Sequence, residues 1–156
     1  MQDLKRFRQC LSKFATGVTV ITCSNSEGDC FGITANSFSS VSLEPPLILW
    51  SIAKVSNSLQ VFLDAGYFAI NVLELGQQPV SKLFARSKHD IFDGVDYESS
   101  ENGAPLLKNT LAWFECRTDN VHDCGDHHII IGEVIDYRSN DGGPLVFYDG
   151  QYQTIR

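Results

Sequence analysis

A cluster of small polar side chains between residues 32 and 42 is the first feature that could do chemistry. Six hydroxyl- and amide-bearing residues lie within nine positions: Thr34, Asn36, Ser37, Ser39, Ser40 and Ser42. Small residues let a backbone approach a flat ligand, and these side chains supply both donors and acceptors. The cluster therefore suits a heterocycle whose edge alternates acceptors with an N–H donor. The alternative is an ordinary turn-rich loop in which Ser and Thr bond to their own backbone.

A second polar segment, residues 51–58, lies between a predicted strand and a predicted helix. Backbone N–H groups at the start of a helix favour anions. Lys54 and the run Ser56, Asn57, Ser58 could add hydrogen bonds to a phosphate. The alternative is a helix cap beside an exposed lysine, which is common in any protein.

Two cations, Arg86 and Lys88, end another predicted helix. Both could pair with a phosphate, because charge-assisted hydrogen bonds to phosphate oxygens are strong. The alternative is that they only complement the partial negative charge at the helix C-terminus.

Residues 124–128, Cys-Gly-Asp-His-His, open a long predicted strand and allow three interpretations. The first is a solvated turn. The second is a ligand-contacting histidine, His127, with Asp126 beside it. The third is a metal site, whose possible ligands are His122, Cys124, His127 and His128. Their spacing is not that of a known zinc module, and adjacent strand residues point to opposite faces. The pattern therefore disfavours the metal site, and the prediction is that the chain binds no metal.

The elements that must position these residues are mostly strands. Apolar periodicity and turn residues predict strands at 18–23, 31–35, 46–51, 67–73, 111–122, 128–138, 145–148 and 151–155. Three short helices are predicted at 3–15, 56–63 and 79–86, with Asp3 capping the first and Ser56 or Asn57 the second. Strands that follow one another through short turns, without regular β-helix-β alternation, indicate an antiparallel barrel with peripheral helices. We expect one domain over residues 1–156, with 87–110 as a surface excursion onto which Phe92 and Tyr97 pack back.

Composition narrows the class of protein. The chain has 156 residues, 43% of them hydrophobic, and a formal net charge of −7. This acidic balance argues against nucleic acid and against an anionic membrane surface as partners. Charged residues interrupt the start of the chain, so no signal peptide is expected there. Five cysteines with loose spacing and no Cys-x-x-Cys argue against a secreted disulfide framework. The sequence therefore predicts a cytoplasmic protein with reduced thiols.

Four motifs in order resemble a known family. They are residues 14–22 (FATGVTVIT), 32–46 (GITANSFSSVSLEPP), 68–72 (FAINV) and 125–127 (GDH). Together they look like the short-chain flavin reductases, which serve as reductase components of two-component flavin monooxygenases. The resemblance runs from about residue 7 to residue 152. It implies a six-stranded, Greek-key-like split barrel that binds FMN or FAD, a homodimer, hydride donation by NADH or NADPH, and a partner oxygenase.

The resemblance also implies roles for individual residues. Those expected along the isoalloxazine ring are Thr34, Ala35, Asn36, Ser37, Ser39 and Ser40. Those expected near the ribityl chain and phosphate are Ser51, Ala53, Ser56, Asn57 and Ser58, with Phe84, Ala85 and Arg86 closing the phosphate side. His127 is expected to contact the nicotinamide nucleotide as a binding group; no residue is assigned as acid or base.

The sequence departs from the family pattern in two places. Residues 87–90 replace the small, glycine-containing residues that relatives often carry, and Ala53 replaces a polar or acidic residue. Three rival functions stay open at this point. They are a flavin-binding module or electron carrier without reductase activity, a flavin oxidase of the pyridoxamine-phosphate type, and a metal-binding protein around Cys124.

Overall fold

Antiparallel strands dominate the structure. The computed structural model describes residues 3–86 and 91–155. The strands are β1 (Thr16–Gly17), β2 (Thr19–Ser24), β3 (Cys30–Ala35), β4 (Ser39–Leu43), β5 (Pro46–Ala53), β6 (Tyr67–Val72), β7 (Tyr97–Ser99), β8 (Pro105–Leu107), β9 (Ala112–Cys124), β10 (His127–Ser139), β11 (Val146–Tyr148) and β12 (Gln151–Gln153). The helices are α1 (Leu4–Leu11), α2 (Leu59–Ala65) and α3 (Gln78–Phe84), and Leu75–Gln77 forms a 3₁₀ turn. The predicted mainly β fold with peripheral helices is confirmed.

The main sheet runs in the order β3-β2-β6-β9-β10-β5-β4, and each neighbouring pair is antiparallel. Its edge strands, β3 and β4, do not pair with each other within the described residues. The sheet has seven strands rather than the predicted six. The additional strand is β4, which the sequence analysis assigned to a polar loop.

β4 escaped prediction because almost all of its side chains face solvent, so it has no buried alternating face. It forms through backbone pairing with β5, with Ser39 opposite Leu49 and Leu43 opposite Pro46. The two strands are joined by a tight turn at Glu44 and Pro45.

The core lies on one face of the strands. In β5, Ile48, Trp50 and Ile52 are buried and alternate with less buried residues, as expected for period-two strand geometry. Helix α2 covers this face, and the ring of its Phe62 packs edge-on against Trp50 with centroids 5.0 Å apart. The intervening positions of β5, including Ser51 and Ala53, point to the other face and are half-buried.

The helices begin and end differently from the predictions. α1 ends at Leu11 instead of residue 15, although Asp3 caps its start as predicted by accepting from the backbone N–H groups of Lys5 and Arg6. α2 begins at Leu59 with Ser58 as its cap, so the caps predicted at Ser56 or Asn57 are wrong. Residues 54–58 instead form turns, in which Ser56 N–H donates to the Ala53 carbonyl.

The predicted surface excursion at 87–110 is only partly correct. β7 and β8 form a small hairpin, and Ala104, Leu106 and Leu107 are buried. The sequence analysis missed them because three apolar residues are too few for a periodic pattern. Residues 87–90, and with them the predicted contact of Lys88, lie outside the described residues.

The C-terminal hairpin confirms a turn prediction. Asp149 and Gly150 have φ values of 52° and 75° and connect β11 to β12. Two-residue hairpin loops whose central residues both have positive φ favour the dipeptide Asp-Gly. The hairpin also holds α1, because Asp149 N–H donates to the Ser12 carbonyl and its carboxylate pairs with Lys13 at 2.7 Å.

We expect three of the five thiols to react with an aromatic disulfide reagent while the protein is folded. Cys10 and Cys124 are exposed and Cys30 is half-buried. Burial raises the pKa of Cys23 and of Cys116 to about 12, so neither forms the reactive thiolate near neutral pH. Counting the thiols released before and after denaturation tests this; a fourth rapidly reacting thiol in the folded protein would contradict it.

Candidate functional site

A cleft of about 710 Å³ lies where the start of β3, the turn after β5 and the end of α3 meet. Six residues predicted from the sequence line it: Ser56, Asn57, Ser58, Phe84, Ala85 and Arg86. The turn and the helix end are separated by about one sixth of the chain, so the tertiary structure brings them together. Arg86 supplies a guanidinium and residues 56–58 supply two hydroxyls and an amide, a donor set that suits a phosphate.

Local contacts shape the turn at residues 54–58. Ser58 N–H donates to the Ser56 hydroxyl at 3.3 Å, and Leu59 N–H donates to the Ser56 carbonyl at 3.2 Å. These bonds hold the backbone of the turn against the start of α2. Asn57 is exposed, and Ser56 and Ser58 are half-buried at the cleft wall.

Helix α3 is held on the outer side of β3 by two close contacts. The Thr34 hydroxyl donates to the Ser81 carbonyl at 2.6 Å. The fully buried Phe84 ring lies over Gly32, where an added Cβ would be 2.6 Å from ring carbons Cδ1 and Cε1. A third contact joins the Ser81 hydroxyl to the Tyr152 hydroxyl at 2.7 Å. These contacts fix the helix end that presents Ala85 and Arg86 to the cleft.

The polar loop predicted for the flavin ring lies along β5 and not in the cleft wall. The Ser37 hydroxyl accepts from Ser51 N–H at 2.9 Å and donates to the Ser51 carbonyl at 3.1 Å. Asn36 is exposed, whereas Ser39, also exposed, donates its hydroxyl to the Ser40 carbonyl. The Thr34 side chain is engaged by α3. The role of these residues, and of Ala35, toward a flavin ring stays a prediction.

His127 lies directly opposite Ala53 in the β5–β10 ladder. Its Nδ1 is 2.7 Å from the Asp126 carboxylate, and this hydrogen bond holds the pKa of Asp126 below its ordinary value. A carboxylate can only accept, so Nδ1–H donates to it, and the other ring nitrogen, Nε2, is left to hydrogen-bond a ligand. Ser51, Ala53 and His127 therefore share one face of the sheet.

Lys54 does not point to a phosphate as the sequence analysis suggested. Its Nζ pairs with the Asp123 carboxylate at 2.6 Å, and its backbone N–H donates to the Asp126 carbonyl at 2.9 Å. The pairing lowers the pKa of Asp123. Lys54 thus joins the turn after β5 to the tip of the β9–β10 hairpin, beside His127.

The metal interpretation of residues 122–128 gains no structural support. In the hairpin His127 lies opposite Cys124 and His128 lies opposite Asp123, so the two histidines face opposite sides of the sheet. Within residues 3–86 and 91–155, no three side chains of metal-binding type come together.

Sequence analysis missed one wall of the cleft. That wall is formed by the β2–β3 hairpin and the segment after α3, and includes Asp29, Cys30, Phe31, Phe92 and Tyr97. The rings of Phe84, Phe92 and Tyr97 follow one another edge-to-face, with centroids 5.1 and 5.2 Å apart. The only sequence-based indication of this wall was the expectation that Phe92 and Tyr97 pack back from the 87–110 segment onto the rest of the protein. A second cavity of about 580 Å³, lined by residues such as Trp113 and Arg138, contains none of the predicted site residues.

Comparison with known proteins identifies the family. The family described as flavin reductase like domain matches residues 11–156. This chain belongs to that family. The resemblance drawn from the four sequence motifs is thereby confirmed.

None of the helices within the described residues is long and apolar enough to cross a membrane.

Individual relatives of this flavin reductase family member agree with the assignment. The FMN reductase (NADH) SmoA of Agrobacterium fabrum is 46% identical over 97% of this chain and 86% of its own length. The reductase component of the flavin-dependent trigonelline monooxygenase of Acinetobacter baylyi is 44% identical over 99% of this chain. The chain spans only half the length of that second relative.

Solved structures show the same fold. The NADH:FAD oxidoreductase of Streptomyces globisporus, in complex with NAD and FAD fragments, superposes with a TM-score of 0.94. It is 37% identical, and the match covers 99% of this chain and 93% of the other. The predicted split-barrel class is therefore confirmed.

Proposed function

We propose that this chain is an NADH-dependent flavin reductase, acting on FMN or FAD and supplying reduced flavin to a partner monooxygenase. The observation that carries the proposal is the convergence of residues 56–58 and 84–86 on one cleft, at the end of the strand that also faces His127. Relatives named as an NADH-dependent FMN reductase and as a monooxygenase reductase component support the activity class.

The flavin phosphate would be held between Arg86 and the polar turn 56–58. The guanidinium supplies charge and paired N–H donors, and the hydroxyls of Ser56 and Ser58 with the Asn57 amide supply neutral donors. Phe84 and Ala85 close the side of the cleft next to Arg86. This donor set outweighs the net negative charge of the chain, because charges are screened over about 8 Å at physiological salt.

The flavin ring would lie against the outward face that carries Ser51 and Ala53, with residues 34–37, 39 and 40 along its edge. The reciprocal Ser37–Ser51 bonds fix the end of that loop to β5. Backbone N–H groups of the loop would stabilise negative charge on the ring. When both ligands are bound, the nicotinamide donates a hydride to the flavin. His127 binds and orients the nicotinamide nucleotide.

One assay tests the proposed function. NADH oxidation is followed at 340 nm with FMN, FAD, riboflavin or no flavin, and with NADPH in place of NADH. Flavin-dependent oxidation supports the reductase. Flavin binding without oxidation of either nucleotide would favour the non-catalytic carrier, the rival with the same fold. A yellow purified protein would indicate retained flavin, and a colourless one a diffusible flavin.

Replacing Asn36 with alanine is expected to weaken flavin binding several-fold. Its exposed amide is free to bond the ring edge, and removing one partner of such a bond costs about 1 kcal/mol. Titration of flavin fluorescence measures the affinity. Asn120→Ala, at an exposed position of β9 that does not line the cleft, is the control for losing an asparagine. Unchanged affinity in Asn36→Ala would remove this residue from the site.

A homodimer is part of the proposal. The apolar side of α1 and the residues after it are exposed, with Leu4 at 63%, Leu11 at 58% and Phe14 at 80%. Several large apolar side chains exposed along one short segment are typical of protein interfaces. Light scattering after size-exclusion chromatography measures the mass, and a monomer at micromolar concentration would contradict the dimer.

A further inference from the structure

The second cavity is separate from the proposed flavin site. Among the residues that the structure describes, it shares no lining residue with the cleft. None of the residues assigned to the flavin or to the nicotinamide nucleotide lies in its wall. Its volume of about 580 Å³ is in the range of pockets that hold a whole small molecule. The cavity therefore has room for a ligand that the proposed reaction does not use.

An aromatic ring and a guanidinium lie side by side in the wall of this cavity. Trp113 of β9 and Arg138 of β10 are directly opposite each other in the β9–β10 ladder, and both line the cavity. Residues in this position point to the same face of the sheet, with Cβ atoms roughly 5 Å apart. The half-buried Trp113 packs against Ala69, Ala104 and Leu106, which holds its ring in place.

The wall of the second cavity carries both signs of charge. Arg138 and Lys108 are its cations, and Glu98 and Asp141 are exposed carboxylates beside them. Within residues 3–86 and 91–155, none of these four side chains takes part in an ion pair. A third carboxylate, Glu74, is used by the fold, because it accepts from a backbone N–H of the 3₁₀ turn at 2.7 Å. A ligand with both charges suits this wall better than an ion of either sign, which would meet like charges.

A free amino acid with an apolar side chain has the groups that this wall matches. The guanidinium of Arg138 suits its carboxylate, because the two can form paired hydrogen bonds. The carboxylates of Glu98 and Asp141 suit its ammonium group, which only donates. Its apolar side chain would cover the exposed part of Trp113 and the nearby Leu106.

The β7–β8 hairpin contributes to both cavities. Glu98 and Leu106 are opposite each other in this hairpin and line the second cavity, whereas the neighbouring Tyr97 lines the cleft. A two-stranded hairpin is only marginally stable by itself, so its position depends on the rest of the protein. One of its anchors is the buried Asn71, whose Oδ1 accepts from Leu107 N–H at 2.9 Å. A ligand that contacts the hairpin at Glu98 thus acts on the residue next to the cleft.

We infer that the second cavity binds a free amino acid with an apolar side chain, and that its occupancy changes the affinity of the cleft for flavin. The amino-acid site is independent of the proposed function. The coupling rests on it, because the coupling requires flavin in the cleft. Thermodynamic linkage makes the effect reciprocal, so flavin must change the affinity for the amino acid by the same factor.

The first experiment measures amino-acid binding by tryptophan fluorescence, without flavin or NADH, using L-phenylalanine and L-leucine. The chain has two tryptophans and Trp50 is fully buried, so a change in emission reports Trp113. Phenylpropanoate lacks the ammonium group of phenylalanine, and phenethylamine lacks its carboxylate. We expect both analogues to bind roughly tenfold more weakly than L-phenylalanine. Binding of neither amino acid, or equal binding of either analogue, would overturn the assignment.

Variants of two arginines locate the site. Arg138→Gln should weaken L-phenylalanine binding roughly tenfold, because the paired contact with the carboxylate is lost. Arg117→Gln removes a cation from the same two-stranded ladder but lines neither cavity, so its binding should be unchanged. Calorimetry on Trp113→Phe, which keeps an apolar ring, should still detect binding after the fluorescence change is lost. Equal losses in the two arginine variants would show a general charge effect and overturn the site.

Flavin titration with and without saturating L-phenylalanine tests the coupling. We expect a several-fold change in flavin affinity that is absent in Arg138→Gln, together with the reciprocal change in amino-acid affinity when flavin is saturating. An unchanged flavin affinity would overturn the coupling. Failure of the reductase assay would leave the amino-acid binding result intact, since that experiment contains neither flavin nor NADH.

Discussion

Replacing Gly32 with alanine is expected to lower the free energy of unfolding by about 1–3 kcal/mol and to weaken flavin binding about tenfold. The new Cβ would be 2.6 Å from two carbons of the Phe84 ring. This ring is buried and packs edge-to-face against Phe92. Because the ring cannot move freely, the end of α3 must shift. That shift displaces Arg86, and misplacing a charged hydrogen-bond donor removes much of its contribution to binding. Chemical denaturation and flavin titration measure the two effects.

Two other glycines provide matched controls for this prediction. At Gly17 an added Cβ meets nothing within 4 Å, so Gly17→Ala should change neither quantity. At Gly132 it would be 2.6 Å from Phe68 and 2.9 Å from the Cys116 Cβ, in the core and away from α3. Gly132→Ala should therefore lose similar stability but keep its flavin affinity when folded. If Gly32→Ala loses stability alone, α3 does not position the phosphate site.

Replacing His127 with alanine is expected to raise the KM for NADH about tenfold or more, with a smaller decrease in kcat. Hydride transfer itself needs no protein acid or base, so the histidine contributes by binding the nicotinamide nucleotide. Its Nδ1 is held by Asp126, and this contact orients the ring so that Nε2 can form a hydrogen bond with that ligand. Loss of one such bond together with its ring contacts corresponds to about 1–2 kcal/mol.

Steady-state kinetics with varied NADH at saturating flavin separate the two parameters. His122→Ala removes an exposed histidine from the neighbouring strand β9 and is the control for a general effect on the hairpin. An unchanged KM with a large loss of kcat in His127→Ala would show a role in the transition state instead. Unchanged flavin affinity in the same variant separates the nicotinamide site from the flavin site.

Local patterns predicted the elements whose partners are close in sequence. The β2–β3 hairpin around residues 25–29 and the β11–β12 hairpin at Asp149 and Gly150 both form as expected. Their turns are set by residues within the turn itself, so no distant contact is needed to specify them. The predicted start of α2 was wrong because several polar residues precede the helix and each of them could cap it. Phe62 of α2 packs against Trp50 of β5, a tertiary contact that the local pattern of capping residues does not contain.

Long-range side-chain partners explain the remaining differences between the sequence-based predictions and the structure. Thr34 and Lys54 both looked available to a ligand, yet each is used by the protein itself. Thr34 bonds to Ser81, 47 residues away, and Lys54 pairs with Asp123, 69 residues away. The presence of a threonine or a lysine in a sequence does not indicate which distant residue its hydroxyl or ammonium group will bond in the folded protein.

Four ordered motifs also predicted the segments that would approach the flavin and the nucleotide, and that assignment stays a prediction. The sequence by itself determined the antiparallel β class and the family. These follow from alternation, turn chemistry and four ordered motifs, all of which are local. Only the tertiary structure decided that α3 is held to β3 through Gly32 and Thr34, and that Phe31 and Tyr97 line the same cleft as Arg86. Those features depend on contacts between segments that are distant in the sequence, and such contacts exist only once the chain has folded. The close approach of the Gly32 backbone to the Phe84 ring, for example, is set by packing in the folded protein.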